Sequence, residues 1–97
     1  MKTYYVYILK CSDGSYYTGV TNNYEKRFVE HQEGIDKKCY TYNKRPLELV
    51  FYQEFNDINL AINKEKQVKG WSRKKKEALI KGEYDKLIEL SKNKSSS

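Results

Sequence analysis

The stretch from Tyr4 to His31, YYVYILKCSDGSYYTGVTNNYEKRFVEH, allows few folds. Tyr4–Lys10 and Tyr16–Thr21 are rich in β-branched and aromatic side chains, which suit a pleated, half-buried surface. Asp13-Gly14 between them is a turn signal, so the two runs form a hairpin. A two-residue loop would pair Tyr7 with Val20 and send Tyr7 and Tyr17 to opposite faces. A three-residue loop, Ser12-Asp13-Gly14 with Gly14 left-handed, would pair Tyr7 with Gly19 and Leu9 with Tyr17, and both tyrosines would share a face.

A helix follows at once. Asn22 or Asn23 can accept a first-turn N–H, and Gly34 falls where a left-handed residue would end the helix. At about 100° per residue, Tyr24, Arg27, Phe28, His31 and Gln32 share one side. Arg27 and His31 are one turn apart on the apolar stripe. Taken alone, the pair reads as a snorkelling arginine and a rim histidine.

The stretch Ile35–Glu48 has little periodicity and carries Lys37, Lys38, Tyr40, Tyr42, Lys44 and Arg45. Such a loop suits a nucleic-acid strand, with charges on phosphates and rings on bases; it equally suits a solvated connection whose tyrosines pack on the sheet edge. Pro46 marks the entry to a third strand, Leu49–Phe55. Asp57 can cap a second helix, Ile58 to Lys69, on which Ala61, Glu65 and Val68 share a face. A carboxylate between two apolar neighbours needs a cation, hydrogen bonds or a metal, because burial unpaired would cost several kcal/mol. Arg27 and Lys69 are the candidate ion-pair partners.

Beyond Gly70-Trp71, Ser72 can cap a short helix over residues 73–80 whose basic start, Arg73 and Lys74, faces out. Glu83–Leu90 is expected to form a last helix. The expectation is one α/β (α+β) domain over residues 1–91 with a C-terminal helical segment, then a polar, disordered tail over 92–97.

A formal net charge of +6 suggests a polyanionic partner, most simply nucleic acid. Ten tyrosines offer apolar bodies with polar tips for packing or stacking. Cys11 and Cys39 are isolated, which argues against a zinc site and a disulfide framework. With no signal-peptide core after Met1 and no apolar run of membrane-spanning length, a cytoplasmic protein with reduced thiols and no membrane partner is expected.

In order, Tyr5-Val6-Tyr7, Tyr17-Thr18-Gly19, Arg27, His31, Tyr40-Thr41, Arg45-Pro46 and Glu65 resemble the motif set of the GIY-YIG nucleases, above all their small stand-alone bacterial members. The resemblance spans about Lys2 to Leu79. The chain departs from the pattern at Tyr5, where the first triplet has glycine, and at Val6 and Thr18, where the triplets have isoleucine. Tyr7 and Gly19 are kept.

The resemblance implies the GIY-YIG fold, a small three-stranded antiparallel sheet flanked by helices. It needs Tyr7 and Tyr17 on one face, so the three-residue loop is expected, with Gly19 leaving room for the Tyr7 phenol and a phosphate. It further implies metal-dependent cleavage of DNA or a structured nucleic acid, with little sequence specificity and any targeting left to a protein partner or substrate shape. Glu65 would hold Mg²⁺ or Mn²⁺ and Arg27 the phosphate, Tyr7 would act as general base or position water, and Tyr17 and His31 would assist. Lys10 matches a lysine of some members, though an exposed strand-end lysine explains it as well. The altered triplets also admit a module of the same fold that binds nucleic acid without cutting it. An adaptor that uses its tyrosine-rich face to bind protein is a further class.

Overall fold

The computed structural model describes the backbone of residues 2–95 and the side chains of residues 2–90. Strands β1 (Tyr4–Lys10), β2 (Tyr16–Thr21) and β3 (Glu48–Phe55) form one antiparallel sheet in the order β2-β1-β3. Helix α1 (Tyr24–Glu33) follows β2, and α2 (Ile58–Lys69), α3 (Arg73–Lys81) and α4 (Tyr84–Ser95) follow β3. This is the expected three-stranded antiparallel sheet flanked by helices.

The hairpin takes the three-residue loop. Gly14 lies in the left-handed region at φ 85°, and Tyr7 pairs with Gly19 and Leu9 with Tyr17. Two opposite faces result from strict alternation along β1. Tyr7, Leu9, Cys11 and Leu47 are buried on one face, under Phe28 of α1. On the other, Ile8 packs with Val68 of α2 and Leu79 of α3, under Trp71. A bulge opposite Ile8 and Leu9 sends Val50 and Phe51 of β3 together to that second face.

Helix boundaries follow their caps. Asn23 accepts from the Lys26 N–H and Gly34 ends α1 at φ 67°. Asp57 caps α2 through the Asn59 N–H, and Ser72 caps α3 through the Lys75 N–H. The strand β3 begins one residue before the expected Leu49. Between α1 and β3 the chain makes a single 3₁₀ turn, Tyr42–Lys44, and the Arg45–Pro46 peptide is cis. The last helix outruns the expected Leu90 because neither Gly nor Pro follows to stop it, and the backbone of 92–95 belongs to it. Ser96 and Ser97, the rest of the expected tail, lie outside the described residues. Among the described residues, no helix is long and apolar enough to cross a membrane.

Candidate active site

Tyr7 comes from the central strand and is buried, and the space it fills is the absent side chain of Gly19. A Cβ at Gly19 would fall 2.5 Å from the Tyr7 hydroxyl oxygen. The register therefore lays the phenol across β2 and delivers its hydroxyl to α1, where it meets His31 Nε2 at 3.1 Å. His31 is itself buried, and its Nδ1 meets Thr41 Oγ1 at 2.7 Å. Buried polar groups need partners. Tyr7, His31 and Thr41 supply them to one another in one chain.

Burial pushes the Tyr7 phenol well above its ordinary pKa; neighbouring Tyr17 adds to the rise, and the nearby Arg27 guanidinium opposes it only in part. The phenol is therefore protonated at neutral pH. Burial, and then the charge of Arg27, hold the His31 imidazole below its ordinary value, so it is neutral at about pH 7. A neutral imidazole has one donor and one acceptor nitrogen. If Nδ1–H donates to Thr41, Nε2 accepts from the Tyr7 hydroxyl; in the other tautomer Thr41 donates to Nδ1 and Nε2–H donates to Tyr7.

Tyr17 lies beside this chain, its ring centroid 5.1 Å from that of His31 and 6.2 Å from that of Tyr7. Tyr40, 52% exposed, continues the row outward, stacked on Tyr17 at 6.2 Å and 20°. Arg27 is half-exposed at the rim, with Nη1 3.4 Å from Glu30 Oε1. A cleft of about 50 Å³, lined in part by Arg27, His31, Cys39 and Thr41, opens beside it.

Glu65 is 8% exposed on the sheet-facing side of α2, and its Oε2 takes Lys69 Nζ at 2.6 Å. Of the two candidate cations, it is Lys69, one helical turn on, that pairs with it. This carboxylate chiefly, and Tyr17 in smaller measure, raise the Lys69 pKa. Among the described residues no group of three or more His, Cys, Asp or Glu side chains could hold a metal ion. A hard cation that keeps its waters and takes substrate phosphate needs fewer protein ligands. Glu65 fits that sparse role: Lys69 engages one of its oxygens, and a carboxylate has two.

The candidate nucleic-acid residues separate into two kinds. Lys10, Lys37, Lys38 and Lys74 are exposed. Lys44 and Arg45 are engaged within the protein. Lys44 Nζ sits 2.7 Å from Asp13 Oδ2 and 4.8 Å from the Tyr40 ring centroid, and its hydrogen bond, with those from Ser15, holds the Asp13 carboxyl well below the usual range. Arg45 donates to the carbonyls of Tyr42 and Gln32 and stacks on Tyr42. Arg73 lies over Tyr16 and pairs with Glu77 at 3.4 Å.

Two residues joined the cluster unannounced by the sequence. Thr41 stood within a matched motif but had no role, and it is 1% exposed beneath His31. Cys39 Sγ lies 3.6 Å from His31 Nδ1 and 3.4 Å from Thr41 Oγ1. Both sit on the aperiodic loop, in turns that precede the 3₁₀ turn and that no sequence period encodes: the Cys39 N–H donates to the Asp36 carbonyl and the Tyr42 N–H to the Cys39 carbonyl.

The profile of the GIY-YIG catalytic domain matches residues 3–78. A UPF0213 protein of Staphylococcus saprophyticus is 42% identical over 80 residues, 82% of this chain and 96% of its own. One from Natronomonas pharaonis is 42% identical over 80 residues, 82% of this chain and 93% of its own, so the relatives include archaeal as well as bacterial proteins. The solution structure of protein EF2693 from E. faecalis is 34% identical and superposes with a TM-score of 0.60, covering 87% of this chain and 88% of that one. That of the UPF0213 protein BH0048 from Bacillus halodurans is 40% identical, with a TM-score of 0.54 over 81% and 83% of the two chains. Sequence, topology and the Tyr7–Gly19 pairing thus agree that this chain belongs to the GIY-YIG domain family, alongside the small UPF0213 proteins.

Proposed function

We propose that this protein hydrolyses phosphodiester bonds in nucleic acid, DNA favoured, with a divalent cation, Mg²⁺ or Mn²⁺, held at Glu65. The observation that carries this reading is the buried Tyr7–His31 hydrogen bond with the Arg27 guanidinium beside it. A phenol kept protonated is a poor base alone, but it can pass a proton. Tyr7 takes a proton from the attacking water as it gives its own to His31 Nε2, which the Nδ1–H···Thr41 tautomer leaves open to accept. The Arg27 fork holds the phosphate oxygens, a contact that strengthens as charge builds on them. Tyr17 borders the phenol and orients it. A cation bound at Glu65 would supply positive charge for the phosphate and the leaving oxygen. Targeting is left to substrate shape or to a protein partner.

Cleavage of branched, nicked and single-stranded DNA and RNA with Mg²⁺ or Mn²⁺ tests the reading. Glu65→Ala and Arg27→Ala, each folded by circular dichroism, are expected to lose about a hundredfold or more. Equal cleavage by Glu65→Ala would rule out this site. A second reading, a binding module of the same fold, is favoured by the Lys69–Glu65 ion pair, which neutralises the one carboxylate a metal needs. It predicts salt-sensitive binding in all three proteins and cleavage in none.

A further inference from the structure

Residues 58–81, which span α2 and α3, carry eight Lys and Arg but two acids, a formal charge of +6. The rest of the chain carries eleven of each sign. The whole formal net charge therefore sits on one helical corner rather than on the loop between α1 and β3. Both acids of that corner are committed: Glu65 to Lys69, and Glu77 to Arg73 and the Tyr16 hydroxyl.

Trp71, at the junction of the two helices, holds two ammonium groups over its ring. Lys75 Nζ is 4.5 Å from the centroid and Lys64 Nζ 5.4 Å. Lys75 is only 9% exposed, and neither lysine enters an ion pair among the described residues. Two cations drawn to one ring repel each other, and the ring quadrupole offsets only part of that. Neither lysine has a carboxylate counter-charge, so each can take a phosphate oxygen from outside the protein.

We propose that the α2–α3 corner is a nucleic-acid docking surface, with Lys64 and Lys75, positioned by Trp71, taking backbone phosphates. Exposed Lys66, Lys69 and Lys74 extend it, and Arg73 carries it to Tyr16 at the start of β2. An anionic membrane is the poorer occupant, because Ala78 and Leu79, which α3 would have to offer to acyl chains, are buried in the core. The contact reads phosphate alone, so binding is insensitive to base sequence. The proposal rests on nucleic acid as the partner and is independent of cleavage.

Trp71 is the single tryptophan, so its emission reports on the surface directly. The full chain is titrated in EDTA with short duplex and single-stranded oligonucleotides at several salt concentrations. Binding is expected to change the Trp71 emission, and Lys64→Gln to weaken it about three- to tenfold and lower the salt slope by about 1. Lys75→Gln should match it if circular dichroism shows it folded; half-exposed Lys64 carries the test if it is not. Lys26→Gln, an exposed change on α1, serves as the control and should stay within about twofold. The proposal is overturned if wild type does not bind, if emission is constant at saturation, or if Lys64→Gln binds no more weakly than Lys26→Gln. Binding to phosphatidylglycerol vesicles but not to oligonucleotides would overturn it too. Because no metal is present, cleavage can fail while this stands, and the reverse.

Discussion

Tyr7 and Ile8 are neighbours on one strand and are both buried, yet they face different interiors. Under Ile8 the packing is apolar, with Val68, Leu79, Phe51 and Trp71, and its stabilisation scales with area removed from water. Under Tyr7 the buried atoms include a phenol, an imidazole and a hydroxyl, each hydrogen-bonded to the next. The Ile8 face also holds the one buried side-chain polar atom without a partner among the described residues, Thr18 Oγ1. A hydroxyl is thus satisfied on the Tyr7 face and orphaned on the Ile8 face. The contrast teaches how each face holds polarity: the Tyr7 side binds it into one network, while on the α2–α3 side Glu65 and Lys75 stay buried through an ion pair and an indole face.

Substitutions can break this contrast or sharpen it. Ile8→Ala should lower stability most, by about 3 kcal/mol in urea unfolding, since it opens a cavity in a packed core. The Tyr7–His31 contact should survive in whatever fraction stays folded. Gly19→Ala should cost about 2 kcal/mol and, unlike Ile8→Ala, abolish the activity of the folded fraction, because the new methyl meets the Tyr7 hydroxyl. Retained activity would show that the phenol has another place to go. Thr41→Val should cost about 1–2 kcal/mol by leaving His31 Nδ1 without its threonine, and should shift the pH profile of cleavage; Thr41→Ser should restore both. Thr18→Val should go the other way and raise stability by about 1 kcal/mol, since it deletes an orphaned hydroxyl at little change in volume.

The smallest effect concerns pH. Burial lowers the His31 pKa in the folded protein, so between the folded value and about 6.5 the unfolded chain binds more protons. The contribution of His31 to stability is whole above that window and is lost as pH falls through the folded value. Against His31→Gln, wild type should therefore lose stability between about pH 7 and pH 5. A flat difference would mean that the imidazole titrates alike in the folded and unfolded chains, and a slope of the opposite sign that the fold holds it charged.

The sheet was legible where chemistry and alternation agree. Turn residues narrowed the hairpin to two registers, and the requirement that Tyr7 and Tyr17 share a face selected the observed one. The helices were legible through caps at Asn23, Asp57 and Ser72. Lys69 stood among the candidate partners of Glu65 because residues four apart on a helix face each other. The loop between α1 and β3 hid its contribution. Nothing in its spacing said that Thr41 would lie under His31, or that Lys44 would fold back on Asp13 across the hairpin tip. Likewise, a run of four basic residues gave no sign that its third, Lys75, would be buried against an indole while Arg73 and Lys74 stay exposed.

Tyr7 and Gly19 occupy a single volume, although the chain writes them in separate triplets. Neither position can drift alone, since a side chain at one removes the room needed by the other. Their neighbours face no such bond: Tyr5 spreads over Tyr24 and Tyr52, Val6 is an ordinary core valine, and Thr18 looks to the opposite side of the sheet. The three places where this chain parts from its family's triplets are those three neighbours. A short signature of this kind is best understood as one steric pair with replaceable surroundings, and its wear over time should follow that grain.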